Sequence, residues 1–535
     1  MLGGRRWAVV LVVAAVLIAR VGARHRHRHR SEAGAQPTAT AAQATDDMPR
    51  AMAVAPQAAP AGSGAWHLGR LTLEPCQIGG GNGLPSASAY CTRFAVPENW
   101  RAPAGRHIEL KVAVVRADGA SDADFVTFLD GGPGGAATDD YAAIGGALAP
   151  LRERHHILLI DQRGTGGSNA LNCPQLSGKQ HSPAQRVQAN QPDRLNALLQ
   201  QCLAQLAPRA APQYYTTTAA VRDLEAVRRA LGAPLLDVIG VSYGTRVAQQ
   251  YARRYPASVR SVVLDSPVPD TLALGADHAR NLERVLHLLS ARCRADALCA
   301  QRFGDPYATL YRVRARLLEH PQQVELRDPV TYQSLQLTLT ADDLAAVVRF
   351  YTYSPLTAAL LPLMLDEADH GNYAPLLGQK QWLATDLSDQ ITSGAELSVV
   401  CAEDVDLLSP RPADADTLLG NSMIARARAA CRVWPKGTRP ADFHAPLVSS
   451  TPILILSGEL DPVTPPAYGR QILRTLSDAR QLIAPGQGHG VIGAGCMPHL
   501  VQRFIDTLDP AGLAARCLQR LGATPAFLNY NGAAP

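Results

Sequence analysis

Nine residues constrain this chain more than any others. Leu236–Gly244 reads LDVIGVSYG, an apolar run that closes on Gly-x-Ser-x-Gly, and the helical pattern TRVAQQYARR follows at once. A sharp strand-to-helix turn needs glycine on both sides of the serine, where a bulky side chain would clash. Such a turn lifts the Ser242 hydroxyl above a sheet. It also sets it at a helix N-terminus, where backbone N–H groups favour developing negative charge.

The surroundings supply the sheet. Strands are predicted at Ile108–Arg116, Phe125–Leu129, His156–Asp161, Leu236–Val241, Val259–Asp265, Ile453–Ser457 and Arg480–Ile483. Several are short, wholly apolar runs, as expected of parallel strands covered on both faces. Helical patterns such as Ala219–Leu231 and Thr245–Arg254 lie between them, which makes the fold class α/β, a mostly parallel doubly wound sheet. Between 270 and 450 the strand rhythm stops and helical patterns take over, at Ala276–Arg292, Tyr307–Glu319 and Ala341–Phe350. Strands resume at Ile453. The expected organisation is one core in two parts, 66–269 and 451–535, with a large helical lid, 270–450, inserted before the last strands.

The N-terminus has a different character. Arg5 and Arg6 precede an apolar run from Trp7 to Ala19, and Val21-Gly22-Ala23 offers small residues for cleavage. The run suits the h-region of an export signal and falls short of the ~20 residues a membrane span needs. Residues 1–23 therefore read as a signal peptide or an N-terminal anchor. The RHRHRHR run after Ala23 opposes translocation and keeps a membrane tether through residues 7–19 in play. Residues 24–65, basic and then rich in Ala, Pro, Gln and Thr, read as a flexible linker. Seven arginines and no acid lie in residues 1–30, so the formal charge of +5 becomes −2 once those seven are set aside. A nucleic-acid footprint is not supported.

Ten cysteines fall into five local couples: 76–91, 173–202, 293–299, 401–431 and 496–517. An even number behind an export signal favours disulfides, nearest neighbours paired, and an oxidising compartment, periplasmic or secreted. No C-x2-C pair exists, which argues against a zinc site.

A serine hydroxyl needs a base. In this kind of sheet the order is Ser, then an acid, then His. TPILILSGELDPVTPP ends a strand with Asp461, and GQGHG places His489 beyond the next strand. Asp461 would fix the imidazole tautomer and His489 would take the Ser242 proton. Glu459 is the nearest rival acid but lies closer to the strand. His489 must be neutral to act as base, so activity is expected to fall in acid. FVTFLDGGPGG, a strand followed by glycines, would supply the oxyanion hole. The expected donors are Tyr243 N–H, next to the nucleophile, and Gly132 N–H, with Gly131 second.

Together, GGPGG after a strand, DQRGTGGS at 161–168, GVSYGT, GELDPVTP and the late GHG resemble the proline iminopeptidase family of α/β-hydrolase serine peptidases. The likeness is nearest its exported tripeptidyl-aminopeptidase-like branch, and TTTAAVRDLEAVRRALG and VVLDSPVPD fit that branch too. The resemblance runs from about 70 to 520 and is thin in the lid. It implies an α/β-hydrolase fold, cleavage of peptide substrates from a free N-terminus, and no metal or organic cofactor. It also implies lid acids that hold the substrate ammonium, and SVVCAEDVD then nominates Glu403, with Asp404 next. Asp130 stands where proline iminopeptidases usually have His, which weakens a strict proline-iminopeptidase assignment. Asp161, Gln162 and Arg163 are expected to form a polar network shaping the oxyanion loop. The same triad would also serve a carboxylesterase or lipase-like enzyme. A non-catalytic hydrolase-fold binding protein is the third reading.

Overall fold

The computed structural model describes residues 64–80, 85–119, 124–176, 192–327 and 332–533. The expected signal or anchor, and nearly all of the linker, lie outside the described residues. Among those described, no helix is long and apolar enough to cross a membrane.

Among the described residues, twelve strands form two sheets. They are β1 (Trp66–Leu68), β2 (Leu71–Gly79), β3 (Ser86–Pro97), β4 (His107–Val115), β5 (Phe125–Leu129), β6 (His156–Ile160), β7 (Leu236–Val241), β8 (Val259–Asp265), β9 (Gln322–Arg327), β10 (Ser334–Leu339), β11 (Ile453–Gly458) and β12 (Ala479–Ala484). Ten of them make one sheet in the order β1-β2-β3-β4-β6-β5-β7-β8-β11-β12. From β6 to β12 every pairing is parallel, whereas β1–β4 are antiparallel and β4 joins β6 antiparallel. The four antiparallel strands extend the sheet, and only β4 was visible in the sequence. β2 and β3 alternate buried and exposed positions too irregularly to stand out.

The central strands are apolar throughout because both faces are covered. All residues of β5, β7 and β11 are buried. One face packs residues such as Val238, Leu264 and Ile455, and the other Val241, Val263 and Leu456. Each such side chain contributes roughly 1.5–3 kcal/mol on burial.

Six helices bear on the site: α1 (Ala137–Arg152), α2 (Thr217–Leu231), α3 (Tyr243–Arg254), α4 (His278–Ala295), α5 (Ala341–Tyr351) and α6 (Ser393–Glu403). The last three belong to the segment between β8 and β11. That segment is not wholly helical, because β9 and β10 pair as an antiparallel hairpin within it. Period-two alternation drives this hairpin, turning Val324, Leu337 and Leu339 into a separate apolar cluster with Leu344, Val348 and Leu361. The insertion thus has a core of its own. Disulfides join Cys76–Cys91, Cys173–Cys202, Cys293–Cys299, Cys401–Cys431 and Cys496–Cys517.

Candidate active site

Steric necessity builds the turn between β7 and α3. Ser242 has φ 54° and ψ −122°, a strained conformation for a residue with a side chain. A Cβ on Gly240 would overlap the Gly244 carbonyl, and one on Gly244 would overlap the Leu129 carbonyl. Both glycines are therefore required to press α3 against β5 and β7. Ser242 N–H donates to Asp265 O at 2.9 Å, which fixes the turn on the neighbouring strand.

Asp461 lies just past the end of β11, after Glu459 and Leu460. Its Oδ1 accepts N–H bonds from Val463 (2.8 Å) and Thr464 (2.7 Å), and its Oδ2 accepts the Thr464 hydroxyl (2.8 Å) and faces His489 Nδ1 at 2.8 Å. Burial alone would raise this carboxyl. The charge and hydrogen bond of His489, with the two backbone N–H groups, outweigh burial and hold it below the usual carboxylate range. Glu459, the rival acid, instead accepts from Arg292 Nη2 and Gly486 N–H.

His489 is positioned from three sides. Asp461 holds Nδ1, and among the described residues Nε2 has no hydrogen-bond partner. The His489 N–H donates to Tyr353 O at 2.8 Å, and the Tyr353 ring meets the imidazole edge-to-face at 5.2 Å. Asp265, at the end of β8, accepts N–H groups of Val491 and Ile492 and so pins the loop beyond His489. Burial pushes the Asp265 carboxyl up to about 6 against those bonds. The adjacent strands β7, β8 and β11 thus carry Ser242, Asp265 and Asp461 to one edge of the sheet. No hydrogen bond joins Ser242 Oγ to His489 among the described residues, a contact often loose until substrate binds.

The glycine loop after β5 passes over the serine, and a Cβ on Gly131 would lie 3.7 Å from Ser242 Oγ. Gly131 N–H is already taken by its neighbour Asp130 Oδ1 (2.7 Å). Gly132 is exposed, with φ 108°, and among the described residues its N–H has no partner. Tyr243 opens α3, so its N–H lacks an intrahelical acceptor. Among the described residues the Gly132 and Tyr243 N–H groups thus have no protein acceptor, one in the glycine loop and the other in the residue after Ser242. Gln162 Nε2 donates to Asp130 O (3.2 Å), and Asp161 accepts Thr138 N–H (2.9 Å) at the start of α1, so the strand-end network does shape this loop. Arg163 points away and pairs with Asp223.

The two lid acids need correction. Glu403 and Asp404 have no exposed surface. Both Glu403 oxygens are occupied by Thr217, through its N–H (2.6 Å) and its hydroxyl (2.7 Å). Asp404 accepts both its bonds from Arg246 Nη1, itself fully buried. Neither carboxylate is free to meet a substrate ammonium. The exposed acid of α6 is Glu396, two turns earlier. Protein around it pushes its carboxyl up, opposed by the charges of Arg349 and Arg426, and it lies within electrostatic range of Tyr353. Sequence reasoning missed Glu396, Thr464, Asp265 and Tyr353. Only Thr464 left a readable trace, as the third residue after a turn aspartate.

With this geometry in view, similarity to known proteins can be placed on it. Serine protease Hip1 of Mycobacterium tuberculosis is 23% identical over 484 residues, covering 83% of this chain and 90% of that protein. Tripeptidyl aminopeptidase of Streptomyces lividans is 28% identical over 188 residues, 33% of this chain and 35% of that one. The putative hydrolase YuaR of Escherichia coli is 33% identical over 144 residues, 27% of this chain. The chain spans only 28% of YuaR's length. Among solved structures, proline iminopeptidase of Mycobacterium smegmatis aligns over 78% of this chain and 98% of its own, at 18% identity and TM-score 0.39. The profile of the α/β-hydrolase fold matches residues 125–493, from β5 to just past His489. The chain belongs to the α/β-hydrolase family.

Proposed function

We propose that the protein is an exported serine aminopeptidase, hydrolysing peptides from the free N-terminus in the manner of tripeptidyl- or prolyl-aminopeptidases. The observation that carries the serine-hydrolase part is the Asp461–His489 contact on the sheet edge that presents Ser242. Ser242 Oγ attacks the scissile carbonyl and passes its proton to His489 Nε2. The tetrahedral oxyanion is received by the N–H groups of Tyr243 and Gly132. His489 returns the proton to the departing amine, leaving the N-terminal fragment as an ester on Ser242. Water, deprotonated by His489, then frees that fragment.

The acyl group of an aminopeptidase carries the ammonium, so a carboxylate must face it on the acyl side. Glu396 takes that role in place of Glu403 and Asp404. It is exposed, and it stands on the first turn of α6, whose entry residue Thr392 donates its N–H to Gly134 O of the oxyanion loop (3.0 Å). The names of the Hip1 and Streptomyces relatives support a peptide substrate. Five disulfides support an oxidising compartment, and with it export.

The test is digestion of a peptide mixture, half N-acetylated, read by mass spectrometry. Short N-terminal fragments should be released from the free peptides alone, and Ser242→Ala should release none and take up no fluorophosphonate label. Equal cleavage of acetylated peptides, or cleavage of esters only, would replace this reading with an esterase.

A further inference from the structure

One helix is tied to both oxyanion donors. At its start, Thr392 N–H donates to Gly134 O (3.0 Å), and Ile391 lies against Gly132, 3.1 Å from where a Cβ would stand. At its end, Glu403 reaches the other donor. Its Oε1 accepts the Thr217 N–H and its Oε2 the Thr217 hydroxyl, whose oxygen lies 2.7 Å from the Tyr243 hydroxyl. Thr217 has one hydroxyl proton. It goes to Glu403 when that group is ionised, and to the Tyr243 oxygen when Glu403 carries its own proton and donates it; in both cases the Thr217 oxygen links the other two. The chain therefore runs Tyr243 to Thr217 to Glu403, and all three residues are buried. The Glu403 end is held further by the Cys401–Cys431 disulfide and by His444, whose Nε2 is 2.8 Å from Glu403 O.

We infer that Glu403 is a positioning residue of the oxyanion hole. Through Thr217 it fixes the Tyr243 side chain, and with it the Tyr243 N–H, while the other end of α6 fixes the Gly132 arm. The inference rests on the serine-hydrolase reading above but not on the peptide preference. It gives the buried glutamate a use that a substrate contact does not. A carboxylate on the Thr217 N–H also caps α2, so a purely structural role is the alternative to be separated.

The experiment uses the full chain with Glu403→Ala, Glu403→Gln, Thr217→Val and Tyr243→Phe, singly and in pairs. A peptide anilide and a p-nitrophenyl ester serve as substrates, and a peptide aldehyde, whose adduct oxygen fills the hole, serves as the transition-state probe. Loss of a donor outright costs about 10²–10³ in kcat, so a donor merely loosened should cost about tenfold, with KM within about twofold. Aldehyde affinity should fall by the same factor. Paired substitutions should be no worse than single ones, because they break one chain. Glu403→Gln should recover most of the rate, since an amide can still bond both Thr217 groups. An unchanged kcat overturns the inference. So do additive losses in the pairs, or a raised KM at constant kcat, which would put Glu403 on the substrate. Glu403→Gln and Tyr243→Phe are near-isosteric, so the test survives if Glu403→Ala fails to fold. Turnover of the ester without the anilide would refute the aminopeptidase reading and leave this one standing.

Discussion

Asp461 and Glu403 are both fully buried carboxylates, one just past β11 and the other at the end of α6, yet their surroundings act on them in opposite senses. Asp461 receives two backbone N–H groups, a hydroxyl and an imidazole, and is held below the usual range. Glu403 receives one N–H and one hydroxyl. Burial comes first and the adjacent Asp404 charge second in pushing it up to about 8, and Arg246 and Thr217 only partly offset them. A strand-end turn aims donors at a carboxylate. The C-terminus of a helix presents carbonyls and the negative end of its dipole. Equal burial therefore leaves one acid fit to hold an imidazolium and the other close to neutral.

The comparison breaks first at Asp461→Asn. Without the anion, the imidazole loses its fixed tautomer and the partner for its charged form, and kcat should fall by about 10⁴, as in other triads. Steady-state kinetics on a peptide anilide would read this. A loss no larger than that of Glu403→Gln would mean that the two carboxylates are not functionally distinct, and the role given to Asp461 would go with it.

Legibility followed the same division. The strand from Leu236 to Val241 was readable to the residue, because a doubly covered strand is apolar at every position and a Gly-x-Ser-x-Gly turn has one steric solution. Asp461 and His489 followed from strand-end placement and chain order, and the structure puts them 2.8 Å apart. The acids of the insertion failed because helical spacing says which residues share a face but not which end of that face is covered. Glu396 and Glu403 are seven residues apart, two turns on one side of α6. Only the packing of α2 and α3 against the far end decides that Glu403 is sealed in while Glu396 stays exposed. The β9–β10 hairpin escaped for a related reason: two six-residue alternations are brief beside the helical patterns that surround them. The N-terminal strands β1–β3 lie on the antiparallel side, where one-sided burial dilutes the apolar signal.

The exposed member of that helical pair gives the next-largest effect. A charge-assisted hydrogen bond to an ammonium is worth about 1.5–3 kcal/mol, so Glu396→Gln should raise KM for free-amine peptides about 10–100-fold. Hydrolysis of an N-acetylated ester should be unchanged by the same substitution. A rise in KM for both substrates would move Glu396 from amine recognition to general cleft shape and sharpen the search for another anchor.

The smallest effect separates the two carboxylates by stability alone. Glu403 keeps its proton in the folded chain up to about 8, whereas an unfolded glutamate releases it near about 4.3. Between those values the folded state binds more protons, so the Glu403 contribution to stability must fall as pH rises. Asp461 has the reverse sign: its depressed value contributes stability above the ordinary aspartate range, lost as pH falls through it. Asp265 and Asp270, each raised to about 6 by burial, share the sign of Glu403 and would mask it in the native protein. The difference between native and Glu403→Gln isolates the one group. Unfolding free energies from urea titrations between pH 5 and 8 should decline less steeply in the Gln variant, by at most about 1.4 kcal/mol per pH unit. Parallel declines would show that Glu403 is ionised across the range, with Arg246 serving both neighbouring acids, and would bring its electrostatics into line with Asp461.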